Sequence, residues 1–304
     1  MTIAAHPRAT GGRGDRRYLV AGHLCIDRLA AGSQGGPERR RVGGTTLFAA
    51  QQACRMGYRV DLVTACTQAT LALAIGVLDP RIRIHTPPTA TDTVFAFERG
   101  PAQGPTHLES RGDPIRDLPE PSSFTVVHLA PVASELPETL VSQVTTTRDA
   151  FVGVTAQGFL RQFASDGTLR LATTPALRTM AGADAIVVNE EEHEVLRSSP
   201  DAMAFMRGHV IVTRGKDGAD LYRGEQRLAT APPPTVVAAR DTVGAGDVCA
   251  TVVFCALAEG AAPSDALACG VQAAGLYVAR GAGLASVPHR RDLGMDDPKT
   301  ATRG

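Results

Sequence analysis

The 304-residue chain has room for one large α/β domain with a sizeable core. Its 31 basic residues cancel 31 acidic ones and it lacks Trp, so neither nucleic acid nor an anionic membrane surface is an expected partner. No apolar run is long enough to span a bilayer, and the Arg-, Gly- and Pro-bearing start has no apolar segment of the kind a secretory signal needs.

Residues 1–17 read as a flexible tail. Residues 18–26 read as a buried strand containing Gly22, with Asp27 at its C-terminal end, where open α/β sheets place ligand contacts. A loop-starting Asp is the alternative for Asp27. Residues 31–37 read as a flexible loop. Gly43-Gly44 then opens a helix over 45–56, and paired glycines there let backbone lie against a substrate; a plain turn is the alternative. Residues 59–65 predict a second buried strand and 67–77 a helix. Residues 81–85 and 92–98 alternate with period two, as half-exposed strands do. With parts of 28–42 and 101–112 they predict a small sheet, a lid that keeps water from the chemistry or, alternatively, an edge hairpin.

After Pro114 an α/β rhythm follows: strands at 125–129, 151–155, 185–188 and 210–213, with helices at 135–145 and 174–181. This predicts a three-layer α/β sandwich, a mostly parallel central sheet covered on both faces. Pro232-Pro233-Pro234 reads as a rigid spacer, 264–279 as a last long helix and 290–304 as a frayed polar tail. Cys25, Cys54, Cys66, Cys249, Cys255 and Cys269 form no Cys-x-x-Cys pair. They read as small buried hydrophobes in a reducing, cytoplasmic setting rather than as zinc ligands or disulfides.

The chemistry is written most densely at 241–247, Asp-Thr-Val-Gly-Ala-Gly-Asp, which runs straight into an apolar helix. Gly244, Ala245 and Gly246 let the backbone approach a ligand, and the first N–H groups of a helix are unpaired donors at the positive end of its dipole. A carboxylate in that first turn, Asp247, is odd if the turn only binds an anion. It makes sense if the carboxylate takes the proton of a hydroxyl that attacks the anion, which is phosphoryl transfer to an alcohol. The plainer alternative is a turn with a dipole-friendly Asp. Asn189 and Glu192 leave a strand end at i and i+3, so they share a helix face, where Glu192 can hold water on Mg²⁺; an acidic helix start is the alternative. Thr213, Arg214, Gly215 and Gly218 follow another strand and offer hydroxyl, guanidinium and backbone donors to phosphate, or form a tight hairpin. Neither a P-loop nor a dinucleotide-binding glycine signature is present.

These segments resemble the ribokinase-like (PfkB) carbohydrate kinase family, and the resemblance covers residues 18–290, making them one kinase domain with 291–304 as a tail. Asp241–Asp247 resembles its most specific signature; Asn189-x-x-Glu192, Thr213-x-Gly215-x-x-Gly218, Gly43-Gly44 and 279–288 resemble four more stretches, in the family's order. The resemblance implies a ribokinase-like fold and a cytoplasmic enzyme that uses ATP and Mg²⁺ to phosphorylate a polyol hydroxyl. Asp247 would be the base, and Gly244, Ala245 and Gly246 the anion hole. Asn189, Thr213, Arg214, Gly215, Gly218 and Thr242 would serve ATP, and Glu192 Mg²⁺ through water. Asp27, Gly43 and Gly44 would meet the acceptor. Relatives also use K⁺ near the segments matching Asp241 and Ser286. Where ribokinases follow the diglycine with Lys-Gly-Ala-Asn, this chain has Thr45-Thr46-Leu47-Phe48. Residues 152–171 are similar instead to the inositol kinases, which makes Gln157 and Arg161 candidates for polyol contacts. A sugar or nucleoside kinase is the alternative within the family, and a kinase-like binding protein without catalysis the alternative outside it. A homodimer through the lid is left open.

Overall fold

In the first strand, β1 (Arg17–Ala21), side chains alternate between two cores: Tyr18 and Val20 face one, Leu19 and Ala21 the other. Period-two alternation with both faces apolar marks a strand buried between two layers. The computed structural model describes residues 16–31, 38–87, 89–98, 107–147, 149–199, 208–234 and 241–295. The expected N-terminal tail up to residue 15, the loop at 32–37, the lid segment at 101–106 and the tail from 296 lie outside them.

The chain does not continue β1 through residue 26. A Cβ on Gly22 would lie 2.1 Å from the Ala130 carbonyl oxygen, so the backbones touch there. The next amides leave the ladder for buried side chains, His23 N–H donating to Glu135 at 2.7 Å and Leu24 N–H to Thr64 at 2.7 Å. The chain thereby turns into a separate strand, β2 (Cys25–Leu29). This corrects the expected place of Asp27, which lies in the middle of a strand of the small sheet rather than at the end of a central one.

After β2 come β3 (Arg39–Gly43), α1 (Thr45–Arg55), β4 (Arg59–Val63), α2 (Gln68–Ile75), β5 (Arg83–His85), β6 (Thr93–Phe97) and β7 (His107–Ser110). The small sheet has the order β3-β2-β6-β7. Residues 83–85 do not join it. β5 pairs parallel with β4 at the edge of the large sheet, and its alternation reflects an edge strand with one face on the core. Both situations produce the same sequence pattern.

The second half comprises β8 (Val126–Leu129), α3 (Glu138–Thr146), β9 (Phe151–Thr155), α4 (Gln157–Leu160), β10 (Arg161–Phe163), β11 (Leu169–Leu171), β12 (Ala185–Asn189), α5 (Glu190–Arg197), β13 (His209–Thr213), β14 (Ala219–Arg223), β15 (Gln226–Ala231), α6 (Ala245–Ala258) and α7 (Pro263–Ala279). The large sheet runs β15-β14-β13-β12-β9-β8-β1-β4-β5, parallel from β13 to β5 and antiparallel in the hairpins β13–β14–β15. Strands β14 and β15 escaped the sequence reading because hairpin strands on an exposed edge carry mixed polarity. Helix α3 begins three residues later than expected, since Glu135 instead caps the loop before it, accepting from Val132 and Ala133 N–H. Residues 175–182 form a 3-10 turn led by Pro175 rather than an α-helix. Residues 290–293 are not frayed: Arg290 pairs with Glu259 at the end of α6.

Helix α6 is apolar on all sides and buried from Val248 to Ala256, as a helix enclosed by other layers must be. Gly153 makes room for it in β9, where a Cβ would lie 2.5 Å from the Phe254 ring. The N-terminus of α6 opens into a cleft that it shares with residues of β2 and β6 in the small sheet and with Val132 and Gln157, which follow β8 and β9.

Candidate active site

Gly244 is the N-cap of α6 and has φ +89°, a left-handed conformation that costs an L-residue about 1–2 kcal/mol. A Cβ there would also lie 2.6 Å from the Phe48 ring. The turn is thus closed by a residue that only Gly fills without strain. The Ala245 N–H is spent inside the turn on Thr242 O at 3.0 Å. Among the described residues the amides of Gly244, Gly246 and Asp247 make no hydrogen bond, so these three, rather than 244–246, are the donors left for an anion.

Asp247 lies half-buried at the floor of a cleft of about 230 Å³. The cleft is lined by Asp27, Gly44, Thr45, Gln157, Arg161, Gly244, Gly246 and Asp247, with Cys25, Phe48, Phe95, Phe97, Val132 and Val243 as its apolar wall. Burial raises the Asp247 carboxyl to about 6, against opposing help from the Thr45 hydroxyl and the Arg161 guanidinium; Glu192 and Asp27 raise it further. Gln157 donates its amide N–H to Thr45 Oγ1, and both line the cleft with Asp247.

Arg161 leans over the Phe95 ring, 5.6 Å from its centre, and donates to Val132 O at 3.3 Å. Burial lowers its pKa, opposed by the surrounding carboxylates of Glu192, Asp247 and Glu135 and by Cys25. Asp27 is buried, and burial raises its carboxyl; Arg41 of β3 opposes that shift from 3.4 Å. A Cβ on Gly43 would lie 2.5 Å from the same carboxylate, so the first glycine of the pair gives Asp27 its space.

The residues expected to serve nucleotide lie together elsewhere on the same edge of the sheet. Asn189 and Thr213 end β12 and β13 and are direct register partners. Asn189 and Glu192 form a reciprocal capping box, Asn189 Oδ1 accepting from Glu192 N at 2.8 Å and Glu192 Oε2 from Asn189 N at 2.9 Å. Glu192 is buried rather than solvated, and burial raises its carboxyl. Its other oxygen makes no hydrogen bond among the described residues, so a buried carboxylate with a free oxygen fits an outer-sphere role at Mg²⁺. No three His, Cys, Asp or Glu side chains among the described residues form a metal cage. Thr213 donates to Val188 O at 3.2 Å, and Gly215 and Gly218 bound the turn into β14. The Arg214 guanidinium donates to Asp217 O at 3.2 Å and pairs with the buried Asp220 of β14 at 3.4 Å. Thr242 is exposed at the turn.

Sequence reading missed Arg41, Thr45 and the aromatic wall. Thr45 was visible as the residue after the diglycine, and Phe95 and Phe97 as the apolar members of an alternating strand; Arg41 carried no signal inside a run of three Arg. A larger groove of about 510 Å³ lies along β7 and the 164–167 turn, but the glycine turn and the perturbed carboxylate are in the smaller cleft.

Residues 89–290 match the family described as pfkB family carbohydrate kinase. A curated relative, the bifunctional protein HldE of Caulobacter sp. (strain K31), is 36% identical over 102 residues, which is 33% of this chain and 20% of that protein. Among solved structures, a pyrophosphate-dependent kinase in the ribokinase family complexed with a pyrophosphate analog and myo-inositol superposes with TM-score 0.73 at 19% identity, covering 92% of this chain and 100% of the other. Arabidopsis thaliana ribokinase complexed with ribose and ATP gives TM-score 0.66 at 17% identity, covering 91% and 97%. At such identities the likeness is one of fold: a large, mostly parallel sheet with a smaller sheet beside it. No described helix is long and apolar enough to cross a membrane.

Proposed function

We propose, from the premise that this chain belongs to the pfkB family of carbohydrate kinases, that it transfers the γ-phosphoryl group of ATP to a hydroxyl of a cyclitol or a related sugar. The observation that carries the reading is Asp247, a carboxylate with a pKa raised to about 6, one turn into a helix whose free amides share its cleft. A base poised just below neutral pH is ionised when substrate arrives yet basic enough to take a proton as an alkoxide develops. The acceptor oxygen attacks the γ-phosphorus, its proton passes to Asp247, and the bond from phosphorus to the bridging oxygen breaks to release ADP. The proton then leaves Asp247 for solvent. The amides of Gly244, Gly246 and Asp247 meet the charge on the transferring group. Glu192 would hold Mg²⁺ through water, and the ion would supply charge neutralisation.

The wall chemistry supports this acceptor class. Phe48, Phe95, Phe97 and Val132 present an apolar surface suited to the C–H face of a ring, while Asp27, Gln157 and Arg161 offer partners to several hydroxyls. The neighbour bound to myo-inositol favours a cyclitol, and the one bound to ribose keeps a sugar as the second reading. The same pair makes pyrophosphate the second donor to try. A panel of inositols, hexoses, pentoses and nucleosides, each with ATP and with pyrophosphate, tests this by release of ADP or phosphate. Turnover of a furanose in strong preference to every inositol overturns the cyclitol assignment.

A further inference from the structure

The resemblance implies a K⁺ ion between the segments of Asp241 and Ser286, and the residues there do not fit one. A bound K⁺ needs several oxygen lone pairs turned on it, typically backbone carbonyls in place of its water shell. The oxygens of Asp241, Val243 and Ala282 instead face the protein's own donors, one of them the Arg41 cation. Asp241 Oδ2 accepts from Arg41 Nη1 at 2.9 Å, and Asp241 Oδ1 accepts from Val243 N at 2.9 Å. The Val243 carbonyl accepts from the Tyr277 hydroxyl at 2.7 Å, and the same hydroxyl lies 3.0 Å from the Ala282 carbonyl. Ser286 Oγ donates to Arg280 O at 2.8 Å.

This is a built arrangement. Tyr277 is fully buried in α7, its ring set edge-on against Phe48 with centroids 6.2 Å apart. Burial and the carboxylates of Asp247 and Asp241 push its phenol well above the usual range, so it stays a neutral donor. Past the helix end, Gly281 has φ +97° and Ala282 φ +51°, the latter uncommon for a residue with a side chain. That turn holds the Ala282 carbonyl against the phenol. Arg41 comes from the lid strand β3 and spans Asp27 in the cleft and Asp241 at the catalytic turn.

We infer that the Tyr277 hydroxyl and the Arg41 guanidinium stand where a monovalent cation would otherwise neutralise the Asp241 carboxylate and the Val243 and Ala282 carbonyls, so that this kinase needs no K⁺. Resting on the kinase reading above, the inference also makes Arg41 and Tyr277 positioning residues for the 241–247 turn: one ties it to the lid, the other to α7.

The test compares purified wild-type protein in KCl, NaCl and choline chloride at one ionic strength, about 0.1 M, where exposed charges are screened equally. Two quantities are read, the thermal midpoint and phosphoryl-transfer turnover. The expected result is no K⁺-specific rise in midpoint and turnover within about twofold among the salts; a site that bound K⁺ only when folded would raise the midpoint. A K⁺-specific rise of several degrees, or fivefold or greater activation by K⁺ over choline, overturns the inference. A Tyr277→Leu variant frees the two carbonyls and leaves space beside them. It is expected to melt lower in choline and to recover part of the loss in KCl alone, whereas a merely structural Tyr277 would give a loss indifferent to the cation and would overturn the assigned role. The wild-type comparison decides the question even if that variant does not fold. Failure of every donor and acceptor to turn over would instead count against the kinase reading, and the midpoint comparison would stand apart from it.

Discussion

Gln157 donates to the Thr45 hydroxyl across 112 residues, and that hydroxyl opposes the burial that raises the Asp247 carboxyl in the same cleft. With Gln157 as donor, the Thr45 hydroxyl keeps its own proton to offer, and it moderates the rise in the Asp247 pKa. Thr45→Val keeps the shape and removes the donor. The acid limb of the pH profile for kcat/KM is expected to move to higher pH, and turnover to fall roughly tenfold, the worth of about one hydrogen bond. A pH-rate series on both proteins checks this; an unmoved acid limb would separate Thr45 from the base.

Asp247→Asn is expected to lower turnover by about 10²–10⁴ while nucleotide affinity is kept. Near-normal turnover would remove Asp247 from the role of base. The same variant carries a stability prediction of the opposite sign. In the folded protein the carboxyl titrates near 6 rather than at the ordinary 3.8, so the folded state binds more protons in that window. Stability is therefore lost as pH rises from about 4 to about 6, and the full penalty stands above 6. The Asn variant is expected to melt higher than wild type at pH 8, with the gap closing below pH 4, as thermal unfolding at several pH values will show.

Gly244→Ala places a Cβ at φ +89° and 2.6 Å from the Phe48 ring. The backbone alone costs about 1–2 kcal/mol, and displacement of Phe48 adds to it. Denaturant unfolding is expected to show a loss at or above that range, with turnover falling further than stability because the free amides move with the turn.

Glu192→Gln preserves the reciprocal cap, since Gln at the third helical position serves as well as Glu, but removes the negative charge. The thermal midpoint is expected to stay near wild type or rise slightly, as a buried charge is lost. The Mg²⁺ concentration for half-maximal turnover is expected to increase about 10–100-fold. Unchanged Mg²⁺ dependence would leave Glu192 with its capping role alone.

The parts of the protein legible in its sequence are those written over a few neighbouring residues. The continuous apolar strand at 151–155, the helix after Gly43-Gly44, and the glycine turn with its carboxylate at 244–247 each follow from local composition, sterics and unpaired amides, so a short window suffices to see them. The break at Gly22 was not local: it depends on a carbonyl from residue 130 and on the buried acceptors Thr64 and Glu135. The assignment of 83–85 to the large sheet depended on which edge was vacant. The ion pair of Arg214 with Asp220 forms only when the β13–β14 hairpin closes, so it too lies beyond a short window. The contacts that shape the cleft, Gln157 to Thr45 across 112 residues and Arg41 to Asp241 across 200, join segments that carry no shared pattern. A hydrogen bond constrains two side chains and nothing between them, so such pairs are set only when the sheet, the lid and the two ends of the chain have packed.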